Sequence, residues 1–325
     1  MKINYSRLGE IPIIEADNGL GLKVYFSSYG ASIYAIYFDG KIMTLTPKNA
    51  KGFARGDIYY GKTIGAIAGR VKNGKVIIND KEYQITPNEG GNALHGGDYA
   101  VSKFLFAGKI TNNNNTAFSI RYVFKKKKMK DGLPGNIEYI ISYYLSANDN
   151  QLIIDLRAIP SEDTPISLTN HSYFCLGDEN INNLLLTIPA SKFISPDEKE
   201  LIMKDIRDVN EIMDFRKKKP ITRDINDDYL MNSRTKGYDH FFLLDDNKEP
   251  IILENSKYKL EITSDMDGTI IYSDNYEDGC DVVNTKTNLI HRAVAIEPED
   301  SPLKDHIIKK GDMYHKQITY KFFKK

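Results

Sequence analysis

A chain of 325 residues in which 44 Lys and Arg balance 44 Asp and Glu has no formal net charge. That argues against nucleic acid as a partner, because binding a phosphate backbone needs a basic surplus. No apolar run approaches the roughly 18 residues of a membrane helix, no apolar signal core follows the opening Met-Lys-Ile-Asn-Tyr-Ser-Arg, and two cysteines, Cys175 and Cys280, are too few for a disulfide framework; the expectation is a soluble, cytoplasmic protein with neither nucleic acid nor membrane as partner.

The dominant hydrophobic rhythm is two residues. Positions 23–27 and Ser32–Phe38 are rich in Val, Ile, Tyr and Phe. Lys75–Ile78 and 82–85 flank Asn79-Asp80-Lys81, which reads as a hairpin turn. Four asparagines at 112–115 mark a loop tip. Strands are predicted at 117–124 and 136–145, and Ala147-Asn148-Asp149-Asn150 turns the chain into a third at 151–159. Further strands are predicted at 184–189, 241–244, Ile251–Glu254, 257–263, 269–273, 293–296 and 317–323. Helical signal is thin, a turn or two at 195–204 and 209–215. The basic runs 125–128 and 216–219 stand beside Asp131-Gly132 and Pro220 and read as solvated loops. No linker or composition break divides the chain, so 1–325 is expected to be one all-β domain, a sandwich or barrel.

Three words carry chemistry: Asn-Ala-Leu-His-Gly-Gly at 92–97, Thr-Asn-His-Ser-Tyr-Phe at 169–174 and Ile-Glu-Pro-Glu at 296–299. They set His95, His171 and Glu297 among small, apolar or aromatic neighbours. Histidine titrates near neutrality, and a partly desolvated carboxylate has a raised pKa, so an acid and a base are available. Locally each has a plain alternative: His95 in a glycine-rich turn, His171 as a hydrogen-bonded strand residue, Glu297 at a solvated strand end. Asp239 opens the apolar run 241–244 and either binds a hydroxyl or caps a turn. Arg70 either forks onto hydroxyls or a carboxylate, or makes a surface salt bridge. A metal on His95, His171 and His240 is allowed by ligand type but has no support from spacing.

In combination, Leu-His-Gly-Gly, Asn-His-x-Tyr-Phe and a late Glu resemble the aldose 1-epimerase (galactose mutarotase) family, with matching segments at 61–74, 92–97, 169–176, 238–240, 272–275 and 297–302. The resemblance implies a large antiparallel β-sandwich with an open cleft and few short helices. It implies interconversion of the α and β anomers of a free aldose, with Glu297 as base, His171 as acid and His95 beside the anomeric hydroxyl and ring oxygen. Arg70 and Asp239 would bind more distant hydroxyls, with Asn92 and Tyr173 as further substrate contacts. No metal or organic cofactor is implied, and a monomer or weak homodimer is expected. The chain departs from the family pattern at Gly69 and Ala66, at Cys175 after Tyr-Phe, at Met266 and Glu299 where Gln is usual, and at Pro302-Leu303-Lys304. These positions touch the sugar-contact shell, so they bear on substrate identity more than on reaction type. Three other readings remain: a sugar-binding module without turnover, a glycoside hydrolase using Asp239 and Glu297, and an epimerase of a phosphorylated sugar.

Overall fold

The computed structural model describes residues 1–128, 131–246 and 249–325. The two-residue rhythm is realised in long antiparallel strands. In Ile137–Ser146, alternate residues Ile137, Tyr139, Ile141, Tyr143 and Leu145 are fully buried, because successive side chains of a strand point to opposite faces. This strand belongs to a nine-stranded sheet ordered Ala107–Asn113, Ala117–Lys126, Ile137–Ser146, Gln151–Pro160, Tyr314–Lys324, Tyr258–Ser264, Ile251–Glu254, Leu185–Thr187, Lys219–Pro220. The last strand of the chain, Tyr314–Lys324, sits in its middle and joins segments more than 100 residues apart in sequence.

A five-stranded meander from Lys2–Leu8 to Lys41–Ile42 packs onto this sheet. Phe26 meets Phe118 and Tyr143 at 5.8 and 5.0 Å, and Phe38 meets Phe322 at 5.8 Å. The six-stranded sheet is ordered Tyr173–Phe174, Val294–Glu299, Gly268–Tyr272, Asp239–Leu243, Lys192–Pro196, Met203–Asp208. Its Val294, Ile296, Ile271 and Phe242 join the same core as Leu253, Leu260 and Tyr320. Each such fully buried side chain contributes about 1.5–3 kcal/mol. The opposite face of the six-stranded sheet carries the site.

Several sequence expectations are corrected. No helix forms at 195–204 or 209–215. The first span holds the ends of a hairpin in which Pro196 pairs with Met203, and pairing of Lys192–Pro196 with Asp239–Leu243 overrides the weak helical preference. The second is a turn anchored by buried Met213 and Phe215. The α-helices among the described residues are one-turn pieces, Ala50–Phe53 and Asp228–Met231, capped by the side chains of Asn49 and Asp227. The basic runs are not wholly solvated. Lys126 is buried in an ion pair with Asp131. Lys219 is buried over the Phe215 ring and donates to Asp224 and two carbonyls. Cys175 and Cys280 are buried free thiols. Among the described residues, no helix is long and apolar enough to cross a membrane.

Arg292 is completely buried. Its Nε lies 2.7 Å from Asp274 and its Nη2 2.8 Å from Asp278, which fixes the segment overhanging the open face. Arg292→Ala would strand the buried Asp274 carboxylate and the half-buried Asp278 one, and breaking a buried pair costs about 3–5 kcal/mol. The expected outcome is a loss of that size in urea unfolding at pH 7; a loss near zero would show the network is not holding the segment.

Candidate active site

The pleat of Val294–Glu299 decides where the carboxylates go. Val294 and Ile296 point into the core, so Ala295, Glu297 and Glu299 point to the open face. On one side of this strand Tyr173 pairs with Ala295, and continuing that antiparallel register two residues back brings His171 level with Glu297. On the other side Ile270 pairs with Glu297, and Tyr272 with Ala295 and Asp239. Two rows therefore cross the sheet: His171, Glu297, Ile270 and Phe241 in one, Tyr173, Ala295, Tyr272 and Asp239 in the next. In the first, His171 Nε2 stands 3.2 Å from Glu297 Oε1.

The facing wall comes from the short pairing of Arg70–Val71 with Ala93–Leu94. His95 follows it with φ +54°, and Gly96 with φ +93°. A Cβ on Gly96 would fall 2.2 Å from the Gly65 carbonyl oxygen, so only glycine fits there. The His95 N–H donates to the Gly69 carbonyl at 2.9 Å, and the Gly69 N–H donates to His95 Nδ1 at 3.2 Å. Nδ1 is thus an acceptor, which leaves the proton of the neutral ring on Nε2. The His95 ring stands edge-on to His171 and Tyr59, with centroids 5.3 and 4.7 Å apart.

The cleft between the walls is about 350 Å³, and Arg70, His95, His171, Tyr173, Asp239 and Glu297 line it. Arg70 forks onto Glu89 at 2.6 and 3.0 Å and reaches Asp239 at 3.3 Å. Asn92 stands apart from these six. Its amide accepts the Asn73 N–H at 3.1 Å and donates to the Glu200 carbonyl at 2.5 Å, which ties the wall together from behind. Met266 also lies elsewhere, in the core, while Ile270 four residues on lines the cleft. His240 is buried away from the other two histidines' cleft positions, with Nδ1 accepting the Asp239 N–H at 3.0 Å and the ring beside Phe193 and Tyr229. Cleft residues that sequence reasoning passed over include Tyr59, Glu89, Ile270 and Tyr276; of these only Tyr276 carried a signal, adjoining the matched segment 272–275.

Burial dominates the electrostatics. It lowers His171 to about 3, with Lys62 adding to the effect. It lowers His95, with His171 and Arg70 pushing the same way. It raises Glu297 well above the ordinary carboxylate range, helped by Glu299 and Asp239 and opposed by Arg70. Both shifts favour the uncharged forms, a neutral imidazole on His171 and a protonated carboxyl on Glu297. Glu297 Oε2 is buried and has no hydrogen-bond partner, an unusual state for a carboxyl oxygen. One nitrogen of each of His95 and His171 and one oxygen of Glu297 also lie within 4.8 Å of one another, a donor set compatible with a small cation.

Glu299 is the second carboxyl of this strand face. Burial, then Asp300 and Asp239, raise it to about 8 from 4.5. Between these values the native state holds a proton that the unfolded chain has released, so stability declines as pH rises from about 4.5 to about 8 and is flat above. Glu299→Gln mimics the protonated form and removes that slope. The expected result is a urea midpoint that exceeds wild type by more at pH 9 than at pH 5; parallel profiles would show that Glu299 is ionised throughout.

The chain resembles known proteins over nearly its full length. Residues 12–321 match the aldose 1-epimerase family. It is 27% identical to galactose mutarotase of Mus musculus over 93% of this chain and 91% of that protein. It is 26% identical to aldose 1-epimerase of Haemophilus influenzae over 95% of each. The structure superimposes on a galactose 1-epimerase from Lactobacillus acidophilus with TM-score 0.89 at 23% identity, covering 100% of this chain and 99% of that one. An aldose epimerase homologue from C. elegans gives TM-score 0.85 at 24% identity, covering 97% and 99%. A large antiparallel β-sandwich is thus the fold expected of such relatives, and the chain belongs to the aldose 1-epimerase family of isomerases.

Proposed function

We propose that this protein interconverts the α and β anomers of a free aldose of the galactose or glucose type, with Glu297 and His171 moving the protons. The observation that carries the reading is the 3.2 Å contact between His171 Nε2 and Glu297 Oε1 on the cleft floor. Two groups this close can serve two oxygens that share one carbon, as the hydroxyl and ring oxygen of an anomeric centre do.

The pair reaches its working state without a proton from solvent. A proton passed from the Glu297 carboxyl to His171 gives carboxylate and imidazolium together. Glu297 then takes the proton of the anomeric hydroxyl while His171 Nε2 protonates the ring oxygen. The bond between C1 and that oxygen breaks, and C1 becomes an aldehyde. After rotation about C1–C2 the ring hydroxyl adds to the other face, returning its proton to His171, and Glu297 reprotonates the exocyclic oxygen. His95, neutral with its proton on Nε2, supplies a donor beside the reacting oxygens. Arg70 and Asp239, one row away, address hydroxyls farther along the sugar, with Tyr173 forming the intervening floor.

Polarimetry of freshly dissolved α-D-galactose and α-D-glucose tests this. Wild type is expected to speed the approach to the same final rotation. Glu297→Gln and His171→Asn are each expected to lower kcat by ~10²–10⁴, the range of one general catalyst, with the fold kept. Near-normal turnover in either variant removes that residue from its role. Arg70→Ala is expected to raise KM by more than it lowers kcat, since it removes binding remote from the reacting bond; an unchanged KM would reassign Arg70 to structure. Because only protons move, treatment with a chelator is expected to leave the rate unchanged, and a loss restored by a divalent cation would argue for a metal on the His95–His171–Glu297 trio.

A further inference from the structure

The segment beside His171 is held to it by backbone bonds. The Gly61 N–H donates to the His171 carbonyl at 2.8 Å and the His171 N–H to the Lys62 carbonyl at 3.0 Å, next to the pairing of Thr63–Ile64 with Thr169–Asn170. The Asn170 amide donates to the Gly61 carbonyl at 2.9 Å. Gly61 has φ +61°, and a Cβ there would fall 1.8 Å from the Ile33 carbonyl oxygen, so only glycine permits this approach. The two tyrosines before it part ways. Tyr60 packs in the cluster of Tyr173 and donates to Asp278, a partner of Arg292. Tyr59 is buried outside the apolar clusters, at the cleft wall. Its ring stacks on His171 at 5.6 Å and 29° and stands nearly perpendicular to His95 at 4.7 Å and 78°.

As the proposed acid, His171 must pass through its imidazolium form. Burial disfavours that form, and so does the Lys62 ammonium. The Glu297 carboxylate at 3.2 Å favours it. So do the ring faces of Tyr59 and of Tyr173, the latter at 4.8 Å and 35°, because a tyrosine face within about 6 Å attracts a cation through its quadrupole. We propose that Tyr59 is a positioning residue for the proton donor: its face stabilises the charged His171, and its contact with both rings keeps His171 and His95 at their mutual 89°. This rests on the mutarotase reading above. Tyr173 also floors the proposed sugar site, so Tyr59 is the ring whose effect on His171 can be isolated.

The test is polarimetry of α-D-galactose and α-D-glucose with wild type, Tyr59→Phe, Tyr59→Leu and Tyr59→pentafluorophenylalanine. Tyr59→Phe keeps the face and should leave kcat near wild type. Tyr59→Leu should lower kcat about tenfold, the worth of a desolvated cation–π contact, with KM little changed. The pentafluoro ring keeps the shape of Phe but reverses its quadrupole, so its kcat should fall with that of Tyr59→Leu. Should Tyr59→Leu fail to fold, the comparison of Phe with its pentafluoro form decides. A pentafluoro variant as fast as Tyr59→Phe, a Tyr59→Phe as slow as Tyr59→Leu, or a loss confined to KM overturns the assignment and leaves mutarotation standing. A wild type that accelerates neither sugar overturns mutarotation and the assignment with it.

Discussion

The contact between His171 and Glu297 is a consequence of strand register, and the rest of the site depends on that register. Side chains alternate faces, so a slip by one residue in Val294–Glu299 would send Glu297 into the core and Ile296 into the cleft. What prevents the slip is the apolar side of the same strand. Val294 and Ile296 are fully buried in the main core, and the strand is paired along both edges. The hydrophobic face thus positions two polar side chains to within hydrogen-bond distance, although none of its atoms touches the cleft.

Holding those groups there is costly in stability. A buried carboxyl oxygen without a partner, such as Oε2 of Glu297 or of Glu299, forfeits its hydration. The fold offsets this with a core that runs through all three large sheets. Two arginines, Arg292 fully buried and Arg70 half-buried, divide the labour. Arg292 uses Asp274 and Asp278 to lock a segment in place and is wholly inaccessible. Arg70 makes a similar double carboxylate contact with Glu89 and Asp239, but at the cleft wall, where a ligand can compete for it.

How much of this could be read from the sequence follows from what leaves a local trace. Central strands were legible because one buried face imposes alternation, as in Ile137–Ser146. The edge strands Lys2–Leu8 and Ala107–Asn113 were not, since most of their residues are exposed and no apolar face marks them. His171 and Glu297 stood out as ionisable residues inside apolar words. Ile270 did not: it stands beside Ile271 in one apolar run, and only pairing in the sheet sends Ile271 to the core and Ile270 to the cleft. Glu89 was hidden for the opposite reason, as one acidic residue in a polar loop whose partner, Arg70, is brought to it by the pairing of Arg70–Val71 with Ala93–Leu94. Asn92 shows the limit of reading a word as a unit. It shares its word with His95, yet its side chain turns away to bind Asn73 and Glu200.

The two rows also separate chemistry from recognition. His171 and Glu297 lie in one, Asp239 in the next, where Arg70 and, through it, Glu89 join it. On the proposed reading the anomeric centre answers to the first row and the remote hydroxyls to the second. A substitution in one row then need not disturb the other, because cross-strand neighbours couple most strongly within a row. Ile270 is the apolar member of the first row at the cleft, paired with Glu297. Its side chain packs on Phe241 and Ile194, so the apolar packing that holds the sheet in register also shapes the cleft floor beside Glu297.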